Sequence, residues 1–143
     1  NVKLAKEIDA DGVHLGQDDL DIKAAREYLG ADKIIGVSAH NVKEALEAEN
    51  GGADYLGSGA AFVTSTKTDA GAIDHKVLSD VAHSVKIPVV AIGGINKDNI
   101  SQLEGLGLDG VAVVSAIFAA DDISSAVIDL KAKAEKVAES SVK

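Results

Sequence analysis

Five short apolar runs, with little polar alternation inside them, limit what this sequence can fold into. Three look alike: ADGVHLG (10–16), GADYLGSG (52–59) and LDGVAVVS (108–115). Each is a turn holding an aspartate, then apolar residues, then a small or polar one. KIIGVS (33–38) and IPVVAIGG (87–94) fall between them. Apolar runs bounded by turn signals suit strands buried on both faces of a parallel sheet.

The gaps carry helical patterns. Ile22, Ala25 and Leu29 share a face, and Gly30 is a C-terminal cap. Asn41 is an N-cap for a helix presenting Val42, Ala45 and Leu46. A further helix is expected from Asn96 to near Gly107. The last should start at Asp122, carry Ile123, Val127, Leu130, Ala134 and Val137 at helical spacing, and fray from Ser140 to Lys143. A helix over roughly 2–8 precedes the first strand. Alternating strands and helices at this spacing predict a right-handed parallel α/β architecture, and the regular short units favour a (β/α)₈ barrel over a doubly wound sheet. Residues 1–143 are read as a single domain, a partial barrel with about five parallel strands. Such a barrel takes about 200 to 250 residues. The expectation is therefore that the sequence opens just after a third strand, with three units absent upstream. An initial Asn1 and the lack of any methionine agree with that.

Composition excludes several functions. There is no cysteine, so neither disulfides nor thiolate metal sites can form, which is mildly favourable to a cytoplasmic location. A net charge of −9 argues against a nucleic-acid surface. No apolar run approaches the roughly 20 residues of a membrane span. An acidic chain that binds an anionic ligand must use local donors, backbone N–H groups or a metal.

In such barrels the active site lies on the loops after the strands. That rule selects His14, Gly16, Gln17, Asp18 and Asp19, then Ser38 and His40, then Thr64 to Lys67, then Gly93 and Gly94, and lastly Ser115 and Ala116. Glycines let a ligand approach main-chain N–H groups, so Gly93–Gly94 and Val114–Ser115 form a candidate phosphate site. The bland alternative is a chain turn and a helix cap. Asp18 and Asp19 are either ordinary residues at a helix start or ligands of Mg²⁺. GAAFVTSTKTDAG (59–71) is a polar loop whose single cation, Lys67, suits a phosphate oxygen or is merely exposed. His14 is expected to be a hydrogen-bonded core residue and His40 a solvated one. His75 and His83, flanking another helix, are read as surface residues, and Glu44, Glu47 and Glu49 as a solvated helix face. No histidine pair has zinc-ligand spacing.

DGVHLGQDD, IIGVSAH, TSTKTDA, VVAIGGI and GVAVVSAIF occur in the order and spacing of one family, and the likeness extends over essentially the whole chain. The sequence thus resembles the thiamine-phosphate synthases. The resemblance implies a (β/α)₈ barrel that joins a hydroxymethylpyrimidine pyrophosphate to a thiazole phosphate with Mg²⁺, releasing pyrophosphate through a dissociative route. Carried over by position, Asp19 matches a Mg²⁺ ligand, and Ser38 and Lys67 match catalytic contacts to the pyrimidine pyrophosphate. Thr64, Ser65, Thr66, Gly94, Val114 and Ser115 match residues around the thiazole phosphate. The partners implied are these small molecules, with homo-oligomerisation left open.

The sequence departs from the family at Ala60 and Val63, where proline is usual and would pre-set φ. A Gln-Phe-Arg-Glu-Lys segment and an Asn-Asp pair, which the family uses for pyrophosphate and a second Mg²⁺ carboxylate, are not in the 143 residues. The isolated chain is accordingly expected to be weakly active or inactive. Two alternatives stand beside this reading: a thiazole tautomerase-like isomerase, and a non-catalytic barrel fragment that binds phosphate esters.

Overall fold

The computed structural model describes residues 1–63 and 72–141. A helix, α1 (Val2–Glu7), leads into alternating elements: β1 (Gly12–Leu15), α2 (Ile22–Leu29), β2 (Ile34–Ala39), α3 (Val42–Gly51), β3 (Tyr55–Gly59), α4 (His75–Ser84) and β4 (Val89–Ile92). After a 3₁₀ turn, Ile100–Leu103, come β5 (Gly110–Ala112), α5 (Ser115–Phe118) and α6 (Ile123–Glu139). The strands form one parallel sheet in the order β1-β2-β3-β4-β5. Each strand pairs with the next in the chain, as in a (β/α)₈ barrel, whereas a doubly wound sheet reverses its order at a switch point.

The helices begin where side chains can take the orphan N–H groups of their first turns. Asp21 accepts from Lys23 and Ala24, Asn41 from Glu44, Asp74 from Lys76 and Asp122 from Ser125. The core lies between these helices and one face of the sheet. Leu15, Ile35, Val37, Leu56, Val89 and Ala91 meet Ala25, Ala45, Leu78 and Val81 there. Ser58 also lies in that layer, fully buried, its hydroxyl donating to the Ala39 carbonyl at 2.8 Å.

The opposite face differs from the expectation of strands buried on both sides. It carries His14, Gly36, Ser38, Tyr55, Gly57 and Gly59, and both Ile34 (51%) and Ile92 (42%) remain exposed. The glycines leave a hollow there instead of a packed layer.

The aspartates of the second and third repeated turns, Asp54 and Asp109, have a common task. Asp54 N–H donates to the Ile35 carbonyl at 2.8 Å while its carboxylate accepts from Ile35 N–H at 2.7 Å. Asp109 does the same to Val89, with both bonds at 2.8 Å. Each aspartate brackets one residue of the preceding strand and so fixes the register of the next. Arg26 joins the first bracket, reaching Asp54 at 2.7 Å and the carbonyls of Lys33 and Gly52.

Burial would raise the Asp54 pKa, but the Ile35 N–H and the Arg26 guanidinium outweigh it and hold the carboxyl below its ordinary value of 3.8. A lowered carboxyl pKa stabilises the fold at pH above about 3.8, and that contribution is lost as pH falls through the folded value. Asp54→Ala should therefore cost about 1–2 kcal/mol at pH 7, a figure reduced for solvent screening. In urea denaturation the gap to the wild type should narrow below pH 4. A gap unchanged with pH would contradict this.

Two helical expectations need correction. The stretch 96–107 forms only the 3₁₀ turn, because the Asn96 side chain takes the Asp98 N–H and Asn99 takes that of Asn96, competing with helix. Gly105 and Gly107 then turn left-handed, at φ 76° and 82°. Of Val42, Ala45 and Leu46, expected to lie together on α3, Ala45 is buried but Leu46 is exposed, and Ala48 is buried beside Ala45. In α6 only Leu130 and Val137 are buried, and Ile123 and Val127 lie open.

Candidate functional site

Beyond the C-terminal ends of the strands, main chain and side chains converge on a pocket of about 380 Å³. Ser38 enters it from β2, Gly93 and Gly94 from the turn after β4, and Val114 and Ser115 from the start of α5. All five, Ser38, Gly93, Gly94, Val114 and Ser115, are among the residues expected from the sequence, and they are brought together from three parts of the chain. A helix does begin there, as the alternative reading of Ser115 had it, but Ser115 is its first residue and no side-chain bond caps it.

The wall between β3 and β4 is built by close backbone approach. Ala61 N–H donates to the Ile92 carbonyl at 2.9 Å and Phe62 N–H to the Gly93 carbonyl at 3.0 Å. Gly94 has φ 66°, and a Cβ there would lie 2.6 Å from the Phe62 oxygen and 2.9 Å from that of Val63. Asn99 holds Gly94 from the other side, its amide donating to the Gly94 carbonyl at 2.9 Å. Only glycine fits this crossing, which leaves the main chain open to the pocket.

Asp19 is placed apart from these residues. Its carboxylate accepts from Gly16 N–H at 2.7 Å and lines an adjoining concavity of about 390 Å³ with Gly16, Gln17 and Leu20. Gln17 bridges the two regions, its amide donating to the Ser38 carbonyl at 2.5 Å. No cluster of three or more His, Cys, Asp or Glu side chains suited to a metal occurs among the described residues. Thr64, Ser65, Thr66 and Lys67 lie outside the described residues.

His83 is exposed, as the sequence reading had it, but the other three histidines depart from theirs. His14 is not a core residue; it lines the pocket, with Tyr55 and Ser38 on its two ring nitrogens. Burial lowers its pKa and the Asp19 charge opposes that. His40 is not simply solvated: its Nδ1 and its backbone N–H both meet Glu44 Oε2, at 2.9 and 2.8 Å. Burial would raise the Glu44 pKa, but these bonds and one from the Asn41 amide lower it. Glu49 likewise leaves the solvated face, accepting from Lys86 N–H at 2.6 Å. His75 is half-buried, edge-on to Phe62 at 5.1 Å, with Nε2 3.3 Å from the Ala61 carbonyl. No sequence pattern could have indicated the His14 contacts, since both partners come from other strands.

Residues 1–117 match the family described as thiamine monophosphate synthase. The chain is similar to the thiamine-phosphate synthase of Clostridium acetobutylicum, 54% identical over 122 residues, which are 85% of this chain and 58% of that protein. Its likeness to the thiamine-phosphate synthase of Clostridium beijerinckii is 50% over 130 residues, 91% of this chain and 62% of that one. Among solved structures, a thiamine phosphate pyrophosphorylase from Pyrococcus furiosus superposes with a TM-score of 0.85 at 47% identity, covering 96% of this chain and 65% of that one. The chain thus spans about three-fifths of the length of the relatives it matches. With the barrel strand order and the family match over most of its length, the chain belongs to the thiamine monophosphate synthase family.

Proposed function

We propose that this chain carries the thiazole-phosphate side of a thiamine-phosphate synthase site, for condensing 4-amino-2-methyl-5-hydroxymethylpyrimidine pyrophosphate with a thiazole phosphate. The observation that carries the reading is the convergence of Ser38, Gly93–Gly94 and Val114–Ser115 on one pocket in a chain of this family. In the reaction, the bond from the pyrimidine methylene to the pyrophosphate oxygen breaks and its electron pair leaves on pyrophosphate. The thiazole nitrogen lone pair then forms the new carbon–nitrogen bond. No proton abstraction is needed, so the protein's work is stabilising the departing charge and aligning the two rings.

Ser38 would donate its hydroxyl to the leaving group, with the Lys67 ammonium alongside. Gly94, Val114 and Ser115, with Thr64, Ser65 and Thr66, would hold the thiazole phosphate. Asp19 fits a role in Mg²⁺ binding, since this ion uses one or two carboxylates completed by phosphate oxygens and water. One Asp19 oxygen has no hydrogen-bond partner among the described residues, and the side chain is exposed. When bound, Mg²⁺ would neutralise charge on the pyrophosphate. A cytoplasmic setting suits a cysteine-free chain with no membrane-spanning helix among its described residues.

Incubation of the chain with both substrates and Mg²⁺ tests the proposal. Thiamine phosphate should form slowly or not at all, because the 143 residues contain no Gln-Phe-Arg-Glu-Lys segment, and any that forms should require Mg²⁺. Ser38→Ala should reduce the rate by about tenfold or more. No product together with no saturable binding of thiazole phosphate would overturn the reading. Metal-independent aromatisation of a thiazole carboxylate phosphate would replace it with a tautomerase.

A further inference from the structure

On the open face of the sheet, His14 stands between two hydroxyls from two other strands. Its Nδ1 lies 3.0 Å from Tyr55 Oη and its Nε2 lies 3.0 Å from Ser38 Oγ. The His14 and Tyr55 rings are 5.5 Å apart between centroids and inclined by 43°. The sheet register makes room for both. His14 on β1 is level with Gly36 on β2, and Gly36 is level with Tyr55 on β3. A Cβ on Gly36 would meet the Tyr55 ring at 2.1 Å, and one on Gly57 would meet His14 Cε1 at 3.0 Å. The two glycines are the space that the two rings occupy.

A neutral imidazole has one N–H donor and one acceptor nitrogen, so the chain of three groups can run in either of two directions. If Ser38 donates to Nε2, its proton is committed and it shows the pocket only lone pairs. That arrangement repels an anionic oxygen. If Nε2–H donates to Ser38 Oγ, the serine proton is free to turn into the pocket. The phenol of Tyr55 is the more acidic hydroxyl and the better donor to Nδ1. Among the described residues Tyr55 Oη has no other partner.

We propose that His14 is a positioning residue: Tyr55 donates to its Nδ1, its Nε2–H donates to Ser38 Oγ, and the Ser38 hydroxyl is thereby aimed at an anionic substrate oxygen. The ligand part rests on the function proposed above; the direction of the chain does not. Partial desolvation of the ring, opposed by the Asp19 charge, lowers its pKa on balance and favours the neutral form that this arrangement requires.

The test begins with nitrogen-15 NMR of the His14 imidazole in the unliganded full chain near pH 7.5. The expected species is the Nε2–H tautomer, giving way to a mixture in Tyr55→Phe. An Nδ1–H tautomer or a cationic ring in the wild type would overturn the proposal. Inorganic pyrophosphate with Mg²⁺ is then titrated into variants. Ser38→Ala and His14→Leu should each weaken binding about tenfold, and the double variant no further. His14→Gln, whose amide N–H can take the place of Nε2–H, should stay within about threefold of wild type. Equal losses in His14→Gln and His14→Leu, or additive losses in the double variant, would contradict the positioning role. Failure of the wild type to bind pyrophosphate while showing the Nε2–H tautomer would count against Ser38 as the contact to the leaving group in the proposed function, and would leave the direction of the chain supported.

Discussion

Gly59→Ala should melt roughly 8–12 °C below the wild type, a loss of about 3 kcal/mol in unfolding free energy. Gly59 ends β3 in register with Ile92, and a Cβ there would sit 1.9 Å from the Ile92 carbonyl oxygen and 2.9 Å from its carbon. Both are backbone atoms of the neighbouring strand, so no rotamer change relieves the clash. The same carbonyl accepts the Ala61 N–H at 2.9 Å. Pushing the strands apart therefore also breaks the bond that holds the chain entering the pocket wall. Gly110→Ala is the matched control on the same sheet face, where the nearest atom to an added Cβ is Val90 Cγ1 at 3.7 Å. It should change stability by no more than about 0.5–1 kcal/mol. A Gly59→Ala protein that melts with the wild type would mean that β3 and β4 do not approach as closely as described.

Gly94→Ala should separate a moderate stability loss from a large binding loss. The left-handed φ of 66° costs an alanine about 1 kcal/mol, and the Phe62 and Val63 oxygens at 2.6 and 2.9 Å add steric strain. The total should be about 2 kcal/mol, less than for Gly59 because the added methyl meets a loop crossing that can shift more easily than a strand ladder. That shift moves the pocket wall. Thiazole phosphate should consequently bind at least about tenfold more weakly, read by calorimetry at a temperature where the variant is folded. Unchanged affinity would remove Gly94 from the site.

Much of this was legible in the chain because it depends on local signals. The five apolar runs became five strands, and Asn41 and Asp122 cap the helices that they precede. Ser38, Gly94, Val114 and Ser115 could be named because the barrel order puts residues at or just beyond the C-terminal end of each strand at one end of the sheet. What was not legible depends on register between strands. Nothing in the sequence near His14 reveals that Gly36 and Gly57 vacate the space into which it and Tyr55 project. The Asp54 and Asp109 turns were visible as repeats, but their grip on Ile35 and Val89 needs the neighbouring strand. The failed helix over 96–107 has another cause: Asn96 and Asn99 bond to backbone, and that outcompeted a weak helical period. Asp19 was singled out as a metal ligand, and the fold sets it in an adjoining concavity, bridged to Ser38 by Gln17.

On the function proposed above, the pocket at the C-terminal ends of the strands would receive the thiazole phosphate. The most direct measurement is a titration of the nitrogen-15-labelled chain with 4-methyl-5-(2-phosphoethyl)thiazole, followed by amide chemical shifts. Saturable shifts are expected to concentrate at Ser38, Gly93, Gly94 and Ser115, with the amides of α2 and α3 that flank the Asp19 concavity little affected. Shifts confined to that concavity, or none at millimolar ligand, would contradict the proposal.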